Sequence, residues 1–456
     1  MADPILDRDA LDDCLRLVAG EAAQYLAGVD EAPVRPIGAP NGIGGPLPDE
    51  GAGSLAALRT LVEAAQAGAT RSAGPRFFHF VMGGGTPAAL AADWLASALD
   101  QIAYNWVSSP LAMQLEQASV GWLKELFGLP PEWSGVLTTG ATTANFTGLA
   151  AARRWWGLQH GVDVEEEGLA GLPPVPVYAV DIHASAVKAL AMLGIGRRQI
   201  RPWEDGAPGA GPAILVGTAG EVNAGGFDPI ADMADLAEEH GAWLHVDGAF
   251  GLFAAVSPAT RELVAGVERA HSVAVDGHKW LNVPYDCGAA FVHDPELHHG
   301  AFTTTAAYLG REELDRPVFG NLGPEMSRRA RAFAVWASLR AYGRSGYRAM
   351  VERHLGLARR LADQVDAEPE LERLAEVPLN VVCFRYRPPG VAEGELDELN
   401  RRRGQAVLDD GCVYFGTTVY DGKVAFRPAI VNWRTRPEDV DLIVPITLEL
   451  GAALER

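Results

Sequence analysis

Hydrophobic and polar positions follow two different periods along this chain, and the change of period predicts its organisation. Apolar residues recur at helical spacing over residues 5–27 and 55–67, which predicts two amphipathic helices. Residues 30–53 lie between them, are rich in proline and glycine, and predict an extended connector. Beyond residue 77, short apolar runs come to alternate with helical segments. This alternation is typical of a mostly parallel sheet covered on both faces.

The C-terminal part of the chain has a different pattern. After a long helical stretch, helices and strands follow one another in shorter units, which predicts a smaller α+β domain. We therefore predict three parts: an N-terminal helical segment with its connector over residues 1–75, a large ligand-binding domain over 76–340, and a small α+β domain over 341–456.

Composition and charge narrow the classes of function. The 456 residues are 48% hydrophobic and 21% charged, which is ordinary for a globular protein, and the formal net charge is -21. An acidic surface disfavours nucleic acid and anionic membranes as partners. The four scattered cysteines lack CxxC spacing and predict reduced thiols rather than a metal site. With no basic, apolar leader and no apolar run of about 18 residues, we expect a cytoplasmic protein.

Lys279 directly follows a short apolar strand in the segment SVAVDGHKW. Lysine is seldom buried without a partner, and the carboxyl ends of strands in open α/β sheets are where ligands bind. A desolvated lysine amine can form an imine with an aldehyde. A solvated turn lysine explains the same pattern, and Lys279 considered alone favours that simpler interpretation.

Asp247 ends another strand, in AWLHVDGAFG, and the small residue Ala249 follows closely. A carboxylate there could pair with a protonated pyridine nitrogen and keep the ring an electron sink. A turn or capping aspartate is an equally good explanation. His183 and Thr218 also follow strands. His183 could lie flat on an aromatic cofactor or cap a helix, and Thr218 could donate to a ring substituent or form a turn.

The segment VLTTGATTAN leads from a strand through Gly140 into a helix. Free backbone N–H groups, threonine hydroxyls and the helix dipole together make an anion site, although a plain threonine cap would look similar. Anion turn, histidine, threonine, aspartate and lysine occur in one chain order, each at a strand end. That order favours a single cofactor site over five unrelated turns.

These motifs resemble the group II pyridoxal-phosphate-dependent amino-acid decarboxylases, a family that includes aromatic-L-amino-acid and glutamate decarboxylases. The segments that carry the resemblance are TTGATTAN, HASAVKAL, TAGEVNAGGFDP, AWLHVDGAFG and DGHKWLNVPYDCG. The resemblance implies pyridoxal 5'-phosphate (PLP) as cofactor and the aspartate-aminotransferase-like α/β fold, PLP fold type I. It also implies a homodimer with active sites at the interface and an N-terminal segment that wraps the partner.

The resemblance also implies roles for residues around the cofactor. Lys279 matches the Schiff-base lysine, and Asp247 matches the partner of the pyridinium nitrogen, with Ala249 against the ring. His183 matches the stacking histidine, which in this family also contacts the region of the substrate carboxylate. Thr218 matches the threonine near the ring hydroxyl.

Residues near the cofactor phosphate follow from the same resemblance. Ala141, Thr142 and Thr143 match the phosphate-binding turn. His278 matches the phosphate-contacting histidine. Asp276 stands where the family often has asparagine, so this contact departs from the family pattern.

The implied reaction is decarboxylation of an L-amino acid, aromatic or bulky and apolar, to the amine and carbon dioxide. Phe80, Trp106 and Tyr308 are candidate substrate contacts. The family's loop tyrosine is not evident: Tyr308 is the one tyrosine in a shortened stretch, and Phe319 stands near the expected position. This departure leaves open an oxygen-consuming reaction that yields an aldehyde.

Transamination, another lyase step and a non-catalytic scaffold are further alternatives that the sequence leaves open. Two charged residues have no assigned role. Glu221 replaces a residue that is usually neutral in the family, and Arg427 could reach a substrate carboxylate or form a structural ion pair.

Overall fold

The computed structural model describes residues 3–39, 43–203, 211–304 and 316–454, with side chains as far as residue 450. The α-helices are α1 (Leu11–Gly28), α2 (Ser54–Gly68), α3 (Pro87–Leu99), α4 (Pro110–Phe127), α5 (Ala141–Gln159), α6 (Val164–Glu167), α7 (Ala184–Met192), α8 (Ile230–His240), α9 (Pro295–Gly300), α10 (Ala332–Ala367), α11 (Glu393–Asp410), α12 (Pro437–Val440) and α13 (Ile443–Leu454). The strands are β1 (Ser134–Thr138), β2 (Val177–Ala179), β3 (Ile200–Pro202), β4 (Ile214–Thr218), β5 (Trp243–Asp247), β6 (Ser272–Asp276), β7 (Gly288–Val292), β8 (Leu371–Arg373), β9 (Phe384–Tyr386), β10 (Thr417–Tyr420) and β11 (Lys423–Phe426). Short 3₁₀ helices cover Pro4–Ala10, Arg197–Gln199, Gly251–Val256, Arg261–Val264, Val267–Arg269 and Phe319–Asn321.

The chain divides into two compact units. The first, here called the large unit, comprises Val81–Arg359 and Ala375–Val382. The second, here called the small unit, comprises Met1–Phe80, Arg360–Leu374 and Cys383–Arg456. The three-part division with boundaries at residues 75 and 340 stays a prediction.

The large unit is built on a seven-stranded sheet in the order β1-β7-β6-β5-β4-β2-β3. The neighbouring strands from β6 to β3 pair in parallel, and β7 runs antiparallel to both of its neighbours. The prediction of a mostly parallel sheet with α/β connections is therefore confirmed.

Both faces of this sheet are covered by helices. Ile214 and Val216 of β4 are fully buried in the hydrophobic cluster that includes residues of α5 and α7. Gly217, between them and the strand end, faces Met233 of α8, whose sulfur would lie 3.1 Å from a Cβ at this position. Because successive strand residues point to opposite faces, α5 and α8 cover opposite sides of the sheet.

The small unit contains a four-stranded antiparallel sheet in the order β10-β11-β9-β8, with α11 packed against it. N-terminal residues pack with C-terminal residues in this unit. The N–H of Val34 donates to the carbonyl of Gly411 at 2.7 Å, and the hydroxyl of Thr435 donates to the carbonyl of Pro75 at 2.7 Å. The predicted N-terminal helices and connector thus share a compact unit with the C-terminal sheet.

Two further features follow from the described residues. None of the helices described is long and apolar enough to cross a bilayer. All four cysteines are free thiols, and Cys14, Cys287 and Cys383 are buried.

A buried ion pair ties α4 to strand β1 and to the chain that precedes α10. The guanidinium of Arg328 donates to both carboxylate oxygens of Glu116, at 2.6 and 3.1 Å, and to the carbonyls of Ala103 and Leu137. Glu116 also accepts from the N–H of Leu137 at 2.9 Å. Both charged side chains are almost fully buried. Because water does not reach these groups, each charge is compensated by the other and by the hydrogen bonds of the pair.

We expect Glu116→Gln to destabilise the large unit by about 3 kcal/mol, because removal of one partner leaves the buried Arg328 charge uncompensated. The change should lower the midpoint of thermal unfolding measured by circular dichroism. Glu125→Gln is the matched control: Glu125 is on the same helix, but its side chain is 70% exposed. Equal melting temperatures for the two variants would contradict this account of the pair.

Candidate active site

Polar side chains from three neighbouring strands meet at one edge of the large sheet. β4, β5 and β6 are parallel, and Thr218 at the end of β4 lies directly opposite Asp247 at the end of β5. Lys279 follows three residues after the end of β6, and His183 starts α7 soon after β2. A cavity of about 170 Å³ opens at this edge. Its lining comprises Asp181, Ile182, His183, Ala184, Thr218, Gly220, Glu221, Val222, Asn223, Asp247, Ala249, Phe250 and Lys279.

Asp247 is the buried carboxylate of this cavity, with 3% of its surface exposed. One oxygen accepts from the side-chain amide of Asn145 at 2.8 Å, and the other accepts from the N–H of Ala249 at 3.1 Å. Each carboxylate oxygen has a further lone pair, so Asp247 can still accept from a ligand N–H.

Asn145, on α5, connects Asp247 to a buried hydrogen-bonded network. Its carbonyl oxygen lies 2.9 Å from Nε2 of His245, whose Nδ1 lies 2.8 Å from the hydroxyl of Ser272. Burial lowers the pKa of His245 to about 3, so this imidazole is neutral. The neutral ring donates from Nε2 to Asn145 and accepts the hydroxyl proton of Ser272 at Nδ1. This orients the Asn145 amide so that its NH₂ faces Asp247.

Gly148 makes room for this network. A Cβ at residue 148 would lie 2.9 Å from Nδ1 of His245 and 2.9 Å from Cβ of Ser272.

Asn145 and His245 were not predicted from the sequence as part of the site. Two features of the sequence could have indicated them: an asparagine within the first turns of α5 and a histidine inside the otherwise apolar strand β5.

Lys279 contacts a second buried carboxylate, that of Asp276. Nζ of Lys279 lies 2.9 Å from Oδ2 of Asp276 and 5.7 Å from the centre of the Phe250 ring. Nε2 of His278 lies 3.4 Å from Oδ1 of Asp276. Burial lowers the pKa of His278, although the carboxylate of Asp276 opposes this effect. Tyr285 stacks on the His278 ring, with their centres 4.0 Å apart.

The predicted anion turn forms the N-terminus of α5. Ala141 is its first residue, and its N–H donates to Oδ1 of Asp276 at 2.6 Å. Thr142 is exposed, and the Thr143 hydroxyl lies 2.7 Å from that of Thr139. Gly140 adopts a φ of +148°, and a Cβ there would lie 2.9 Å from Cε1 of His278. Glycine is thus required for the turn to approach His278 closely.

His183 and Thr218 make the local contacts that the simpler interpretations anticipated, and both also line the cavity. Nδ1 of His183 accepts from the N–H of Ser185 at 3.2 Å and so caps α7. The Thr218 hydroxyl donates to the carbonyl of Asp181 at 2.7 Å. Both oxygens of Glu221 accept from backbone N–H groups of its own turn, at 2.7 and 2.9 Å.

The candidate substrate residues are distributed differently. Phe80 belongs to the small unit, is 60% exposed and has a φ of +57°. Trp106 belongs to the large unit but is not part of the cavity lining; the Arg316 guanidinium lies 5.8 Å from its ring. Phe319 is buried in the hydrophobic core beside α4, and Arg427 belongs to the small unit. Tyr308 lies outside the residues that the structure describes.

The groups around the cavity fit PLP. Of the lining residues, Lys279 supplies an amine for the aldehyde and Asp247 a carboxylate for the pyridine N–H. The N-terminus of α5 is not part of this lining, but it contacts Asp276 beside Lys279 and carries N–H and hydroxyl donors that suit a phosphate. The glycine at residue 140 keeps the space beside His278 free of a side chain.

Comparison with known proteins gives one consistent result. The model of the pyridoxal-dependent decarboxylase conserved domain matches residues 55–387. Aromatic-L-amino-acid decarboxylase of Bacillus atrophaeus is 28% identical over 80% of this chain and 79% of its own. Acidic amino acid decarboxylase of Mus musculus is 30% identical over 83% of this chain and 74% of its own.

Two further similarities extend over more of the chain. L-2,4-diaminobutyrate decarboxylase of Rhizobium meliloti is 30% identical over 90% of this chain and 84% of its own. The crystal structure of Oryza sativa TDC with PLP and tryptamine superposes with a TM-score of 0.89 at 25% identity, covering 98% of this chain and 99% of that one.

Asp228 makes the stability of this edge depend on pH. Its Oδ2 accepts from the N–H of Thr218 at 2.7 Å, and burial, with Asp181 nearby, raises its pKa from 3.8 to about 6. The folded protein therefore binds more protons than the unfolded chain between these values. The stability contributed by this group falls as the pH rises through that window, and the loss persists above it.

We expect Asp228→Asn to unfold at a higher temperature than the unsubstituted protein at pH 7.5, with the difference vanishing below pH 4. The asparagine oxygen can accept the same N–H without carrying a charge. Thermal unfolding at a series of pH values measures the effect. Asp232→Asn, at an exposed position of α8, should show no such trend. A pH-independent difference for Asp228→Asn would contradict the assignment.

Proposed function

The chain belongs to the pyridoxal-dependent decarboxylase family, and from this premise we propose that it converts an aromatic or bulky apolar L-amino acid to the amine and carbon dioxide. Membership of the family by itself indicates a PLP-dependent amino-acid decarboxylase; the proposal concerns the class of amino acid that it accepts. The relatives compared above by sequence are decarboxylases, and they do not favour the oxygen-consuming reaction that yields an aldehyde.

The lining of the cavity supports the substrate class. Ile182, Val222 and Phe250 present apolar side chains to it, and Glu221 and Asp247 contribute carboxylates. Of the described residues that line this cavity, Lys279 is the one lysine or arginine. A substrate with a second carboxylate would meet like charge here without a basic side chain to receive it. An aromatic or apolar side chain avoids this cost.

We assign the binding roles as follows. Lys279 is the covalent anchor of the cofactor. Asp247 accepts from the pyridine N–H, and the amide of Asn145 keeps this carboxylate in place. His183 would contact one face of the ring, Ala249 would leave space on the other side, and Thr218 would be the residue near the ring hydroxyl; all three line the cavity.

The phosphate site follows the same logic at the N-terminus of α5. Ala141 contributes a backbone N–H, Thr142 and Thr143 contribute hydroxyls, and His278 lies beside the turn. The helix dipole favours an anion at this end.

When bound, the cofactor ring accepts the electron pair of the bond to the departing carboxylate. The residues of this chain would determine which bond is broken, because the orientation in which they hold the substrate selects the bond that is aligned for cleavage. Asp247 would keep the ring nitrogen protonated, and His183 would line the cavity at the start of α7. Lys279 would hold the cofactor through its amine, and the same amine, when free, could act as a base or acid at the substrate.

The proposal is tested by a screen of the twenty common L-amino acids together with 2,4-diaminobutyrate, with carbon dioxide release and oxygen uptake recorded. We expect carbon dioxide and amine from aromatic or bulky apolar substrates, without oxygen uptake. Lys279→Ala should lose both the visible absorbance of the lysine-bound cofactor and carbon dioxide release. Lys188→Ala, an exposed lysine on α7, is the control and should keep both. Turnover confined to glutamate, aspartate or 2,4-diaminobutyrate would contradict the proposed substrate class.

We also propose that two copies of the chain form a homodimer with the active sites at their interface. Leu11, Leu15 and Val18 are exposed on one face of α1, and 63% of the Leu11 surface is accessible. Residues with this spacing share a helix face. The charge and composition of the chain disfavour lipid as the cover for this face, and the predicted role of the N-terminal segment is to wrap a second copy.

Leu11→Glu combined with Leu15→Glu should shift the protein from dimer to monomer, because two carboxylates would be buried against the partner. Light scattering after size-exclusion chromatography measures the mass. Gln24→Glu places a charge on the opposite face of α1 and should leave the dimer intact. A monomeric unsubstituted protein would refute the assembly directly.

A further inference from the structure

Two of the groups that would anchor the cofactor are engaged by one buried side chain, Asp276. Oδ1 of Asp276 accepts the N–H of Ala141 at 2.6 Å, and Oδ2 pairs with Nζ of Lys279 at 2.9 Å. Ala141 is the first residue of α5 and Lys279 is the proposed covalent anchor. Asp276 is 3% exposed, so its charge is satisfied by these contacts rather than by water.

The chemistry of Asp276 differs from that of Asp247, the other buried carboxylate of the site. Among the residues that the structure describes, Asp247 accepts from two neutral amides, those of Asn145 and Ala249, and its proposed ligand is a cationic ring nitrogen. Asp276 lies instead at the helix N-terminus where a phosphate would bind, and a phosphate carries the same sign of charge. The first carboxylate attracts the cofactor, whereas the second repels its anionic group.

We propose that Asp276 is a built-in competitor for PLP, which occupies the helix N-terminus and the lysine amine that the cofactor needs and so weakens cofactor binding. The proposal rests on the proposed function, since it concerns the same site. The enzyme would then exchange its cofactor readily, and its occupancy would follow the concentration of free PLP.

The charges around Asp276 strengthen this argument. His278 is 3.4 Å from the carboxylate, but burial lowers the pKa of its imidazole and so disfavours a positive charge on this ring. Lys279 is therefore the group that compensates the charge of Asp276. A lysine joined to the cofactor could no longer place a free ammonium group against Asp276 as Lys279 does here, and a bound phosphate would add negative charge nearby.

The backbone at Asp276 does not depend on its side chain. Its N–H donates to the carbonyl of Ala249 at 2.9 Å, and the residue pairs with Gly288 in the sheet. Asparagine has the same shape and can still accept the N–H of Ala141. Asp276→Asn thus removes the charge while the strand and the turn keep their contacts, and Asp276→Ala serves as a second variant.

The test is equilibrium dialysis of the full-length holoenzyme against a series of PLP concentrations, with bound cofactor read from its visible absorbance. We expect the dissociation constant of Asp276→Asn to be at least about tenfold lower than that of the unsubstituted protein, since the removed charge lies against the helix N-terminus proposed for the phosphate. Pyridoxal, which has the aldehyde and ring without the phosphate, should gain less. Asp286→Asn is the control: Asp286 is nearby and pairs with Arg331, but touches neither Ala141 nor Lys279.

Three results would overturn the inference. They are a dissociation constant for PLP that is unchanged or higher in both Asp276 variants, an equal gain for pyridoxal, and an equal gain in Asp286→Asn. The absence of visible absorbance from the unsubstituted protein and every variant would overturn the proposed cofactor site, and this inference with it. Normal absorbance with equal affinities would overturn the inference alone.

Discussion

The carboxyl ends of β4, β5 and β6 lie side by side at one edge of the large sheet, and the proposed site depends on that alignment. The parallel pairing places Thr218 opposite Asp247 and brings Lys279 within reach of the same cavity. A shift of β5 by one residue would turn Asp247 to the other face of the sheet. The hydrophobic cluster formed with α5 and α7 opposes such a shift, because residues such as Trp243 would lose their packing partners in it. Packing in the core thereby determines the geometry of the chemistry.

A buried network of hydrogen bonds, on the side away from the cavity, keeps the carboxylate of Asp247 in place. Asp247, Asn145, His245 and Ser272 form a continuous chain of hydrogen bonds in which the described contacts allow one assignment of donors and acceptors, because the buried imidazole is neutral. Such a fully satisfied network orients the carboxylate before a ligand arrives. Gly148 is part of this arrangement, since a side chain there would collide with the histidine. The cavity-facing residues and their support thus come from different elements, α5 and the sheet, that pack together.

Two buried aspartates at neighbouring strand ends have opposite consequences for a ligand. Asp247 is surrounded by neutral donors and suits a cationic nitrogen, whereas Asp276 already holds a helix N-terminus and an amine. In the proposed site, the same residue type at the ends of neighbouring strands would therefore favour one part of the cofactor and oppose another. Environment, rather than residue identity, separates the two roles.

The sequence by itself determined the fold class and the family. Alternating periods indicated the mostly parallel sheet, and the motifs around Asp247 and Lys279 indicated PLP, because these features depend on residues close together in the chain. The contacts of the site were decided by tertiary structure. Asn145 and His245 are 100 positions apart, a separation much longer than any of the sequence motifs. Their hydrogen bond exists only because α5 packs on the sheet. The same reason applies to Asp276: its sequence position showed a departure from the family, but only the fold brings Ala141, 135 positions away, to its carboxylate.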